Sequence, residues 1–180
     1  VFLAVHPPVI AEVLGSIKGK INPESVLVSL APKFTMEKIS TLLGGFAAIV
    51  RMLPLASSVM SKGYNPMVFN VGLSPEDKSE LCKIFEAFGE NIEVAESKME
   101  AYAMIVAMGP TYLWFQYYKL IELAKHFGMD EMEAKMAVQK MVEASSETMF
   151  NSGLDKNGVM DLIPVKPIGE HEADILKIYD

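Results

Sequence analysis

Cysteine, histidine and surplus positive charge are all scarce in this chain, and each scarcity removes a class of function. One cysteine, Cys82, stands in 180 residues. It excludes an internal disulfide and points to a reducing compartment, with a cytoplasmic location expected. Three histidines, far apart in sequence, and an unpartnered cysteine offer no recognisable metal-ligand set, so no metal is expected. Sixteen lysines and arginines against 23 acids leave a net charge of −7. A nucleic-acid partner would need the opposite balance, to neutralise phosphates. Long uninterrupted apolar runs are also missing. Residues 101–115 come nearest, but Gly109-Pro110 breaks them, and Lys98, Glu100 and Lys119 flank them too closely for a bilayer crossing. No Gly-x-Ser-x-Gly elbow, Walker loop, signal-peptide pattern, internal repeat or low-complexity tract is found.

What is present is an ordered globular composition, 51% hydrophobic and 22% charged. The first part alternates strand and helix. Residues 1–5 run apolar to the Pro7-Pro8 break and predict a strand buried on both faces, as in the middle of a parallel sheet. No earlier strand and no initiator Met precede it, which reads as a chain incomplete at its N-terminus. Residues 9–17 carry apolar residues at helical spacing. Residues 25–31 form the next apolar run. Thr35 is positioned to cap a helix through Leu43, closed by Gly44-Gly45. Residues 47–53 predict a third strand and 67–71 a fourth, antiparallel or at an edge. Ser74-Pro75-Glu76-Asp77 opens a helix, with Ser as cap, Pro in the first turn and acids at the positive helix end. Residues 91–94 predict a last short strand. Such alternation argues for an α/β sheet with crossover helices.

From residue 97 onward the pattern is helical. Residues 97–127 are apolar nearly all round, with a break at Gly109-Pro110. Asp130 and Glu133 set up a capping box for a second helix, with an apolar stripe of Ala134, Ala137, Val138, Met141 and Val142. Residues 155–158 read as a turn, and 170–179 as a final helix. The domains expected are 1–96, the C-terminal part of a dinucleotide-binding domain of Rossmann type, and 97–180, an all-helical dimerisation and substrate domain. A helix apolar on every side must be covered on every side. A second copy of the chain is the expected cover, giving a homodimer or higher homo-oligomer.

The order of these pieces is similar to a known family. Ala4-Val5-His6-Pro7 resembles the Ala-Val-Lys-Pro strand end of pyrroline-5-carboxylate reductases. Residues 26–31 (VLVSLA) resemble the next strand, usually ending Ser-Ile-Ala. Val50-Arg51-Met52-Leu53-Pro54 resembles Arg-Val-Met-Pro. Phe88-Gly89-Glu90, Val94 and Lys98-Met99-Glu100-Ala101 resemble Gly-x-x-x-x-Val and an acidic Met-Asp-Ala lead-in. Met108-Gly109-Pro110-Thr111-Tyr112, with Phe127-Gly128-Met129 after it, resembles the Ser-Gly-Pro-Ala-Tyr helix that ends Leu-Gly-Leu. The resemblance implies a partial Rossmann-type domain for NADP or NAD, then a helical dimerisation domain. It also implies hydride transfer to a small cyclic imine, of the proline-biosynthesis type. Ala4, Val5, His6, Pro7, Ala31 and Pro54 would wall the nicotinamide side. Met108, Gly109 and Pro110 would lie by the substrate. No catalytic acid is named.

The departures matter as much. The family's glycine-rich loop lies before the strand that opens this chain, so its pyrophosphate contacts are absent here. Leu55 stands where the family has Asn, and Met108 where it has Ser. After Asp161, where the family has Ser-Pro-Gly-Gly-Thr-Thr, residues 162–170 are bulky and charged. A related reductase with another substrate, or a non-catalytic dimeric scaffold, therefore stands as the alternative. His6 is weighed evenly between cofactor contact and plain loop residue. His126, at a helix end, is favoured as a dipole complement. His171 is favoured as solvent-facing over proton donor. The aromatic cluster Tyr102, Tyr112, Trp114, Tyr117 and Tyr118 and the thirteen Met residues are favoured as packing rather than as a ligand site.

Overall fold

Among the described residues, five strands and eight α-helices follow in the order β1 (Phe2–Leu3), α1 (Ile10–Ile17), β2 (Leu27–Ser29), α2 (Met36–Leu42), β3 (Ile49–Met52), β4 (Gly63–Phe69), α3 (Pro75–Phe85), β5 (Gly89–Glu93), α4 (Met99–Tyr102), α5 (Gly109–His126), α6 (Glu131–Asn151), α7 (Lys156–Asp161) and α8 (Glu172–Leu176). This computed structural model describes residues 1–179, apart from the side chain of Pro7. The described chain forms two compact units, Val1–Trp114 and Phe115–Asp180.

The first unit is an α/β sheet in sequential order, β1 to β5. β1, β2 and β3 are parallel, β4 is antiparallel to β3, and β5 is parallel to β4. Alternate strand residues point to opposite faces. Leu3, Leu27 and Ile49 therefore pack on Ile10 and Leu14 of α1 and Ile39 of α2. Val28, Val50, Met52 and Met67 gather with Phe85 of α3 in a second cluster. Thr35 caps α2 and Ser74 caps α3, each accepting from a backbone N–H three residues on, as their sequence positions predict.

Among the described residues β1 is two residues long and lies at one end of the strand order with β2 beside it, and Val1 and Phe2 are more than half exposed. Two expectations need correcting. The fourth strand begins at Gly63 rather than Met67 and ends before Val71, which is fully exposed; it is antiparallel, as expected, but β5 covers its outer side. Asp155 does not open a mere turn: its side chain accepts from Gly158 N–H at 2.8 Å and caps α7.

The break at Gly109-Pro110 is real and has a cause. Pro110 has no N–H to donate to the carbonyl four residues back, and its ring crowds that carbonyl. The chain responds with a π-helical segment, Ala103–Ala107, closed by Met108 N–H to Ala103 C=O at 3.0 Å, before α5 starts at Gly109. Met99 ahead of it and Ala103 at its start are buried against Leu53 and Val68, so the segment that leads into α5 is seated on the sheet.

The second unit is helical. The Asp130–Glu133 capping box forms in full at the start of α6. Ala134 is buried and Val138 and Val142 are half-buried, while Ala137 and Met141 of the expected stripe are exposed. No described residue of α5 is buried, and Tyr118, Phe127, Met132 and Phe150 are each at least 73% exposed.

Candidate functional site

The register of the first three strands builds the site. Phe2 faces Val28, which faces Val50; Leu3 faces Ser29, which faces Arg51. The parallel strands therefore end in step, and their carboxyl ends share one edge. Ala4, Val5 and His6 leave β1 there, Ala31 leaves β2, and Leu53 and Pro54 leave β3. Open α/β sheets take ligands outside the carboxyl ends of their strands. Ala4 and His6 are exposed, Val5 and Pro54 half-buried and Ala31 buried. The Pro7 side chain lies outside the described residues.

A cavity of about 210 Å³ opens among Phe2, Leu30, Met52, Pro54, Val59 and Phe88. Its lining is almost wholly apolar, which suits a flat ring rather than a charged group. Of the residues expected at the cofactor, Pro54 lines this cavity, while Val5 and Ala31 pack with Leu3, Ile10 and Ile39. The described chain contains no glycine-rich turn for a pyrophosphate.

Two buried polar side chains hold the loops around this edge. Asn65 of β4, fully buried, accepts from Leu55 N–H at 2.9 Å and from Ser58 Oγ at 2.8 Å. Its amide donates to Asn91 Oδ1 at 3.1 Å and to Phe88 C=O at 3.4 Å. It thereby fixes the chain immediately after Pro54. Arg51 of β3 is buried and pairs with Glu96 (Nη1–Oε1 2.8 Å) and Glu100 (Nη2–Oε1 3.6 Å). Sequence reading overlooked Asn65, Glu96 and the burial of Arg51. The available signals were a charged residue inside an apolar strand and an Asn-Pro pair inside another.

Met108 is half exposed, and Gly109 and Pro110 are half-buried. They follow the π segment, and Thr111 turns its hydroxyl back to donate to Met108 C=O at 2.6 Å. His126 sits in the last turn of α5 with its ring edge-on to Phe127. His171 is largely exposed and lies 3.5 Å from Glu170. Tyr118 and Trp114 are exposed, while Tyr102, Tyr112 and Tyr117 are half-buried. Within the helical unit, Met160, Ile163, Val165, Ile168 and Leu176 line an apolar cavity of about 520 Å³. Among the described residues, no group of three or more His, Cys, Asp or Glu side chains converges as a metal site, and no helix is long and apolar enough to cross a membrane.

No family model matches the chain. Individual relatives do. Pyrroline-5-carboxylate reductase of Escherichia coli (strain K12) is 24% identical over 163 residues, covering 91% of this chain and 61% of the relative. The enzyme of that name from Corynebacterium melassecola is 26% identical over 156 residues, covering 85% and 58%. The chain thus spans about three fifths of the length of the curated relatives it matches. Among solved structures, the pyrroline carboxylate reductase of Plasmodium falciparum with NADP bound superposes with a TM-score of 0.83 at 23% identity, over 99% of this chain and 74% of that one. The pyrroline-5-carboxylate reductase of Coxiella burnetii gives 0.68 at 26% identity, over 99% and 67%. These likenesses run through both the sheet and the helices, and the chain is similar to pyrroline-5-carboxylate reductases over nearly its whole length.

Proposed function

We propose that this chain, similar throughout to pyrroline-5-carboxylate reductases, belongs to an NAD(P)H-dependent reductase that transfers hydride to a small cyclic imine in the cytoplasm, as in proline biosynthesis. The observation that carries the reading is the shared carboxyl edge of β1, β2 and β3, from which Ala4, Val5, His6, Ala31 and Pro54 leave the strands, Pro54 lining an apolar cavity there. The cofactor supplies the hydride. The chain's residues align and shield. Ala31 and Pro54 are proposed as small, apolar positions at that edge. Asn65 holds Leu55, and with it Pro54, in one position. Alignment of this kind is where a protein gains most in such a reaction. Met108, Gly109 and Pro110 are proposed to meet the substrate. We divide the chain by role into a cofactor part, 1–96, and a substrate and dimerisation part, 97–180. The cofactor proposed is NADP or NAD, the Plasmodium structure being one with NADP bound.

The assembly proposed is a homodimer or larger homo-oligomer through the helices. An α5 without a buried residue, and an α6 with only Ala134 buried among those described, leave apolar faces that a second copy would cover.

A second reading, a dimeric scaffold without activity, is favoured by one observation. The segment where the resemblance implies small hydroxyl and glycine groups instead places Ile163, Val165 and Ile168 around an apolar cavity. The test is the full product of the gene, assayed for NADPH binding and for NADPH oxidation with pyrroline-5-carboxylate. Binding with turnover is expected. Binding without turnover on this substrate points to another small imine or carbonyl. Neither binding nor turnover overturns the reductase and leaves the scaffold.

A further inference from the structure

Arg51 is a cation inside a sheet. It sits in β3 between Ser29 of β2 and Val68 of β4, and its side chain is 3% exposed. A buried guanidinium is costly unless well partnered, so its partners carry information. Nη1 lies 2.8 Å from Glu96 Oε1 and Nη2 lies 3.6 Å from Glu100 Oε1. Among the described residues, Nε and Nη2 have no hydrogen-bond partner. The pair is therefore not a saturated structural ion pair; the two carboxylates are shared with something else.

What they share is the turn between β2 and α2. Glu96 Oε1 also accepts from Met36 N–H at 2.7 Å, one of the donors left free at the start of α2. Glu100 Oε1 also accepts from Lys33 N–H at 3.2 Å. Lys33 has φ of 66°, a left-handed conformation that a lysine keeps only when its surroundings enforce it. One guanidinium thus ties β3, the turn after Ala31 and the segment that leads through Met99 and Ala103 toward Met108. The bonds to the turn close over 60 and 67 residues of sequence.

We propose that Arg51, Glu96 and Glu100 form a positioning clamp. It holds the turn of residues 31–36 with Lys33 in its left-handed conformation, and so keeps the carboxyl end of β2, the wall proposed beside Pro54, in register. The kinetic part of this inference rests on the reductase reading. The clamp residues touch neither cofactor nor substrate in this account; they act through the backbone of the turn. Releasing the turn lets the wall drift. A drift of about 1 Å is enough to lower a hydride-transfer rate by up to about a hundredfold.

The experiment uses the full gene product with Arg51→Met, Arg51→Lys, Glu96→Gln and Glu100→Gln. Glu96 and Glu100 are partly exposed, so the glutamine variants fold even if the arginine ones do not. Amide exchange at Lys33 and Met36 reports the clamp directly and needs no activity. Faster exchange at both amides in Arg51→Met, and at Lys33 in Glu100→Gln, is expected, with little rescue by lysine, whose compact ammonium lacks the planar fork that spans Glu96 and Glu100. Unchanged exchange overturns the clamp. In steady-state assays kcat is expected to fall about tenfold or more while the NADPH KM changes little, with a larger isotope effect from 4-deuterated NADPH. Faster exchange with unchanged kcat and isotope effect overturns the positioning role. A wild type that neither binds NADPH nor turns over overturns the reductase reading, and the exchange result still decides the clamp.

Discussion

The side-chain oxygen of Asn65 accepts the backbone N–H of Leu55 at 2.9 Å, and so a buried amide in β4 sets the path of the chain leaving β3. The same oxygen holds Ser58, and the amide nitrogen reaches Asn91, whose own amide donates to Phe85 C=O and Gly89 C=O. This polar knot has its main donors and acceptors paired. Such a network stabilises when whole and costs most when half broken.

Asn65→Ala is expected to lower stability by about 1–3 kcal/mol for each buried partner it leaves unpaired. Leu55 N–H and the Asn91 carboxamide are the first of these. Urea denaturation measures the loss. Ser58→Ala removes only a donor from the knot and is expected to cost less. A cost for Asn65→Ala no larger than that for Ser58→Ala counts against the network.

Gly89→Ala is expected to be among the most damaging single changes in the sheet unit. Gly89 has φ of 113°, outside the range of other residues, and a Cβ there would meet the carbonyl oxygen of Gly63 at 2.5 Å. Backbone strain and backbone collision add, and about 3 kcal/mol or more is expected. Thermal unfolding of the variant checks it, and a Tm within a degree or two of the wild type contradicts this account.

Exposed apolar side chains on the helices are expected to govern assembly. Phe127 is 80% exposed and Phe150 73% exposed. Replacing both by Glu is expected to shift sedimentation toward the monomer while leaving far-ultraviolet circular dichroism unchanged. A wild type that sediments as a monomer at micromolar concentration removes the assembly proposal altogether.

Glu131 is expected to titrate below an ordinary glutamate. Its hydrogen bond to Lys135 is the main cause, and that to Lys125 the second; the lysines lie 2.6 Å and 3.2 Å away. Lys135 is raised in return, chiefly by the hydrogen bond to Glu131. A lowered acid stabilises above its unfolded pKa and loses that contribution as pH falls through its folded value. A raised lysine stabilises below its unfolded pKa and loses it as pH rises through its folded value. The pair is exposed, so its effect on stability is small and salt-sensitive. NMR titration of the Glu131 carboxyl checks the direction. Lys135→Met is expected to move the midpoint back up, and an unmoved midpoint contradicts the pairing.

Much of this was legible in the chain, and the reason is range. The caps at Thr35, Ser74 and Asp130 act within one helical turn, so residue types at fixed offsets announce them. The break at Gly109-Pro110 follows from proline's missing N–H, again a local fact. The alternation of apolar runs determined which segments become strands and which become helices. Tertiary structure alone decided that Arg51 is buried and that Glu96 and Glu100 reach back to the turn after Ala31. Those relations join residues 45 to 67 positions apart. No local spacing encodes such pairs. They exist because parallel strands can pair only through long crossovers, which bring distant loops to one edge.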